Sequence, residues 1–80
     1  MAKADFDFKY EVESQLGIIS ENDYGWTIEL NKISWNGKPA KYDIRSWAPE
    51  HERMGKGISL SAKELELLQK KLNELFPENK

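Results

Sequence analysis

Cysteine is absent from the 80 residues, which excludes disulfide staples and thiolate metal sites and fits a reducing compartment. Histidine occurs once, as His51 between Glu50 and Glu52. Adjacent ligands of that kind do not make a metal site of useful geometry. A single histidine with no cysteine also leaves no nucleophile–base–orienter set of the kind covalent catalysis needs, so no enzyme activity and no cofactor are expected. No apolar run approaches the ~20 residues of a membrane span. The N-terminal MAKADFDFKYEVE has no apolar core ahead of a small-residue cleavage site, so no signal peptide is expected, and the cytoplasm is the expected compartment. Glycine and proline are sparse, at five and three. Repeats, linkers and low-complexity stretches are likewise missing. Residues 1–80 therefore read as one domain, whose core is thin enough that dimerisation is a natural way to add buried surface.

Positive charge is lacking overall, with a formal net charge of -2, but it is not lacking everywhere. Residues 1–30 carry two lysines against seven acids. Residues 31–57 carry Lys32, Lys38, Lys41, Arg45, Arg53 and Lys56 against Asp43, Glu50 and Glu52. A phosphate responds to local potential within a Debye length of ~8–10 Å, not to the molecular sum. The middle third is the candidate anion-facing region.

Phe6, Phe8, Tyr10 and Val12 alternate with charged neighbours, the period of a strand with one buried face. The phase changes after Val12, and a bend or bulge near Gly17 accounts for it. The first strand is thus predicted over about 6–20, with turn chemistry at Glu21–Gly25. A second strand covers about 26–35. Asn36-Gly37 is a strong hairpin signal because both residues tolerate positive φ. A third strand covers about 40–47, with Tyr42 and Ile44 on one face and Lys41, Asp43, Arg45 and Trp47 on the other. A polar loop then leads to a short fourth strand, about 57–60. Ser61-Ala62-Lys63-Glu64 is a capping box, and Leu65, Leu68, Leu72, Leu75 and Phe76 form the stripe of a helix over about 62–76, ended by Pro77. The fold class is α+β: a curved four-stranded antiparallel sheet followed by one C-terminal helix. One helix covers one face, so the face bearing Lys41, Arg45 and Trp47 is expected to meet water, a ligand or a second subunit.

Lys32, Trp35, Lys38, Lys41, Arg45, Trp47 and Lys56 interleave basic and aromatic side chains. Single-strand nucleic-acid binders use this mixture, cations tracking phosphates while flat rings stack on unpaired bases. Composition alone favours the plainer account, in which tryptophans are core and lysines a solvated face. The placement of Trp35 has two solutions. A bulge near Asn31 or Lys32 puts Ile33 and Trp35 on the core face; without one, both share a face with Glu29 and Asn31 while Lys32 points away. Gly55-Lys56-Gly57 lacks the flanking pattern of a nucleotide-triphosphate loop, and a glycine turn into the fourth strand accounts for it.

The segment KYDIRSW, followed by a polar loop and KGISLSAKELELLQKKL, resembles the C-terminal domain of the transcriptional coactivator positive cofactor four. Residues 24–60 are closer still to its bacterial YdbC-like branch, and the resemblance spans roughly residues 6–76. It implies a β-β-β-β-α protomer, a homodimer, and binding of single-stranded DNA with little sequence preference, in transcription, replication or repair and in a nucleoid-associated setting. Carried over by position, it places nucleic-acid contacts at Lys38 and Lys41 near the hairpin, and at Arg45, Trp47 and Lys56, with Trp35 as the aromatic before the turn. The hairpin is one residue longer than in the eukaryotic branch, and Gly55 stands where a basic residue is expected. RNA is an alternative ligand. The alternative function is a protein–protein interaction module using the same basic–aromatic face or the helix stripe.

Overall fold

The computed structural model describes residues 9–77, so the expected alternation at Phe6 and Phe8 lies outside the described residues. Four antiparallel strands, β1 (Tyr10–Glu21), β2 (Thr27–Trp35), β3 (Lys41–Trp47) and β4 (Met54–Leu60), form an open curved sheet in chain order, and α1 (Ala62–Leu75) follows. β4 begins three residues earlier than predicted. Met54 pairs with Trp47 and Gly57 with Arg45, so β4 holds one extra residue across that step. This bulge hides the strand from a period-two reading, and it makes Gly55-Lys56-Gly57 part of a strand rather than a turn. A side-chain carbon on Gly57 would overlap Arg45, and one on Gly55 would overlap the Ser46 hydroxyl. Both glycines are there because another chain segment lies against them.

β1 departs further from a regular strand. Its pairing with β2 shifts three times, between Val12 and Ser14, Gln15 and Gly17, and Ile18 and Ser20. The single bulge expected near Gly17 is one of three. Glu13, Leu16 and Ile19 are the residues the register skips, and Leu16 and Ile19 are exposed. Repeated bulging twists and coils an edge strand, which blunts it against pairing with other chains.

The turns follow their local chemistry. Asn22 Oδ1 accepts the amides of Tyr24 and Trp26. Asn36 and Gly37 have φ of 53° and 77°, and the Lys38 amide donates to the Trp35 carbonyl at 2.9 Å, the geometry of a type I′ turn. At the helix start both halves of the capping box form: Ser61 Oγ accepts the Glu64 amide at 3.1 Å, and the Glu64 carboxylate accepts the Ser61 amide at 2.9 Å.

β2 runs without a bulge against β3, pairing Glu29 with Arg45, Asn31 with Asp43 and Ile33 with Lys41. Ile33 and Trp35 therefore share a face with Glu29 and Asn31, and Lys32 points to the other. The expectation about which face is closed is corrected. The residues with no exposure, Ile33, Trp47, Asn31 and Asp43, all lie on the face opposite α1. The helix side is the open one: Ile28 and Ile58 are exposed in the sheet, as are Leu67, Leu72 and Leu75 on α1. Between sheet and helix lies a cavity of about 330 Å³ lined by Leu30, Tyr42, Leu65, Leu68 and Leu72 among others.

A loop provides the missing cover. Ala48–Arg53 folds back as a strap containing a 3-10 turn at Pro49–His51, pinned by Ala48 donating to the Arg53 carbonyl. His51 stacks on Trp47 with ring centroids 4.1 Å apart and planes 13° from parallel, while Tyr10 meets Trp47 from the first strand at 5.8 Å.

Candidate nucleic-acid interface

The expected site residues divide into three groups. Trp47 is on the expected face but buried, so it is not an exposed stacking platform; its ring is the floor on which the strap is laid. Its Nε1 finds no hydrogen-bond partner among the described residues. Lys32 is on the opposite face, its ammonium 5.6 Å from the Tyr42 ring centroid, and is not brought together with the others. Trp35, Arg45 and Lys41 do share one face, and Lys38, Lys41 and Lys56 are exposed.

Trp35 and Arg45 are held by a closed ring of contacts. The Trp35 indole Nε1 donates to Ser59 Oγ at 3.0 Å, and the Ser59 hydroxyl donates to Asp43 Oδ1 at 2.9 Å. Asp43 accepts Arg45 Nε at 2.7 Å and Nη2 at 2.9 Å. The Arg45 guanidinium carbon returns to the indole, 4.9 Å from its centroid. Arg45 Nη1 also donates to the Gly55 carbonyl at 3.3 Å and reaches Met54 Sδ at 3.7 Å. Strand register explains the assembly: Asp43 faces Ser59, Arg45 faces Gly57, and the missing side chain at Gly57 leaves room for the arginine stem. Beside this ring lies an open, shallow cavity of about 390 Å³ lined by Trp35, Asn36, Arg45, Met54 and Ser59.

Asn36 joins the cavity to the start of β1. Its Oδ1 accepts the Lys9 amide at 2.8 Å, and its own amide donates to the Lys9 carbonyl at 2.7 Å. Asp43, Ser59, Asn36 and Met54 are not singled out by sequence reasoning. Asp43 is visible as a polar residue in phase with Arg45, but nothing local pairs residue 35 with residue 59. Only the register of β2, β3 and β4 does that.

A second polar cluster closes the strap. The buried Glu29 carboxylate accepts Thr27 Oγ1 at 2.7 Å and Asn31 Nδ2 at 3.1 Å, and His51 Nε2 lies 2.9 and 3.1 Å from its two oxygens. A carboxylate can only accept, so His51 carries a proton on Nε2. Burial by itself would raise the Glu29 pKa, but the hydrogen bonds from Thr27, Asn31 and His51, with the imidazole charge, hold it below the ordinary 4.5. Glu50 and His51 have φ of 59° and 57°, a left-handed conformation costly for residues other than glycine. The Glu29–His51 hydrogen bond and the ring stack hold that strained turn in place. Among the described residues no three His, Asp or Glu side chains gather as a metal ion would require.

Two comparisons bear on this arrangement. The sequence profile of the family described as Transcriptional Coactivator p15 (PC4) matches residues 22–71, from the first turn into α1. An uncharacterized protein of Treponema pallidum (strain Nichols) is 48% identical over 69 residues, spanning 86% of this chain and 81% of that protein.

Proposed function

The chain belongs to the family described as Transcriptional Coactivator p15 (PC4), and from that premise we propose that it is a single-stranded DNA-binding protein with little sequence preference, acting as a homodimer and not as an enzyme. Family membership supports nucleic-acid binding in general. The observation that carries the finer reading is the Trp35–Arg45 wall beside its cavity, with Lys38 and Lys41 exposed nearby and Lys56 exposed on β4. Unpaired bases have flat faces to lay against such a wall; paired bases do not offer them. Backbone charge is met by lysines that are exposed and have no ion-pair partner among the described residues. Contacts of this kind discriminate weakly between sequences. A cytoplasmic, nucleoid-associated setting in transcription, replication or repair goes with this proposal.

Dimerisation is supported by the open helix side. Ile28, Ile58, Leu67, Leu72 and Leu75 are exposed there, and their partial cover by α1 leaves apolar surface that a second copy would remove from water. A polypeptide partner is the competing occupant. Sedimentation at micromolar concentration separates them, a dimer of the isolated protein favouring the second copy.

The direct test is anisotropy of labelled oligo-dT at several salt concentrations, with duplex DNA and oligo-U as competitors. Affinity should fall with log[salt] at a slope of about -0.7 per phosphate engaged, duplex should compete poorly, and oligo-U measures how far RNA shares the site. Micromolar protein producing no anisotropy change at low salt sinks the proposal.

A further inference from the structure

The geometry points to Asp43 as a positioning residue that shapes a flat slot for one unstacked nucleobase, and to Arg45 as a wall of that slot rather than a phosphate clamp. This rests on the single-strand reading above and says how its central arginine works.

Most donors of Arg45 are already engaged within the protein. A guanidinium has five N–H groups. In Arg45 the Nε hydrogen and one on Nη2 are given to Asp43, and Nη1 is turned toward the Gly55 carbonyl and Met54 Sδ. The Nε/Nη2 fork that would grip a phosphate side-on is already engaged by a carboxylate, and with Nη1 turned to Gly55 and Met54 only one Nη2 hydrogen is left, too few for a bidentate grip. Charge says the same. Asp43 is fully buried and touches Arg45 at 2.7 Å, so an approaching phosphate meets a nearly neutral pair. The lysines, not Arg45, supply the attraction.

What Arg45 retains is its plane. It lies over the Trp35 indole, whose N–H is tied to Ser59, whose hydroxyl is tied back to Asp43. Every member of the ring fixes the next, so neither planar group can turn without breaking two contacts. Guanidinium planes and indoles both stack on unpaired bases, and here they border the same 390 Å³ cavity. Asp43 touches no ligand in this scheme; it acts by aiming Arg45 and, through Ser59, Trp35.

Three variants separate wall from clamp, each measured as oligo-dT affinity and its dependence on log[salt], with thermal melting to verify folding. Arg45→Lys keeps the charge and loses the plane. The slot predicts a loss of roughly 5- to 150-fold, the range of one stacking contact; wild-type affinity would overturn it. Asp43→Asn combined with Arg45→Gln removes both charges and leaves net charge unchanged. The slot predicts an unchanged salt slope, whereas a slope shallower by about 0.7, the equivalent of one phosphate, would overturn it. Ser59→Ala is the mildest change and retains the ion pair. It should weaken binding several-fold at constant slope, and unaltered binding would overturn the ring as a positioning device even if the first two variants fail to fold. Wild-type protein that binds no oligo-dT would instead remove the single-strand reading itself.

Discussion

Replacing Trp47 by alanine should destabilise the whole domain rather than merely weaken a ligand contact. The side chain has no solvent exposure, and it carries the His51 stack that holds the strap. Truncating a buried tryptophan costs about 3–5 kcal/mol in transfer and cavity terms. A domain of this size has ~4–12 kcal/mol of total stability, so the variant loses between a quarter and all of it. At ~4–8 °C per kcal/mol the melting point falls by at least about 12 °C. Trp47→Phe gives the contrast. It keeps a ring beneath His51 and removes an indole N–H that has no partner among the described residues. Relief of that unpaired donor, about 1–3 kcal/mol, offsets the smaller ring's poorer packing, and the net change should stay within ~1 kcal/mol. Urea denaturation at one fixed protein concentration measures both, since association shifts the midpoint. An alanine variant with the wild-type midpoint but no oligo-dT affinity would refute the placement of Trp47 as core.

Three further outcomes follow from other parts of the structure. Glu29 has a folded pKa below its unfolded value of about 4.5, so its contribution is complete above that pH and is lost as pH falls through the folded value; Glu29→Gln should flatten the acid limb of a stability–pH curve relative to wild type. Ser61→Ala removes the acceptor of the Glu64 amide and should cost about 0.5–2 kcal/mol by chemical denaturation. Gly57→Ala sets a methyl group against Arg45, and should lower both the melting temperature and oligo-dT affinity, because the strand that carries Ser59 must move.

The elements are largely legible in the sequence because their signals are local. A positive-φ pair at Asn36-Gly37, a reciprocal cap at Ser61 and Glu64, and leucines at helical spacing each act within a few residues. Alternation alone shortens β4 and gives β1 one bulge instead of three, because a bulge changes the phase on which period-two reasoning depends. The site is legible in part. The shared face of Lys41, Asp43, Arg45 and Trp47 is fixed by alternation alone. Which of these side chains reaches solvent is not, because cover comes from Ala48–Arg53, a segment with no periodicity.

The aromatic–basic face of β3 thus separates into two parts. Sequence by itself determined four strands, a capped helix and the side of β3 on which Arg45 and Trp47 lie, since propensity, turn chemistry and side-chain period are properties of neighbouring residues. Only the tertiary structure decided that Trp47 is buried under His51, that Lys32 stands on the other face, and that Trp35 is tied through Ser59 and Asp43 to Arg45. Those outcomes depend on register between strands and on the path of one loop. Contacts between residues 29 and 51, or 35 and 59, exist only after the chain has closed on itself.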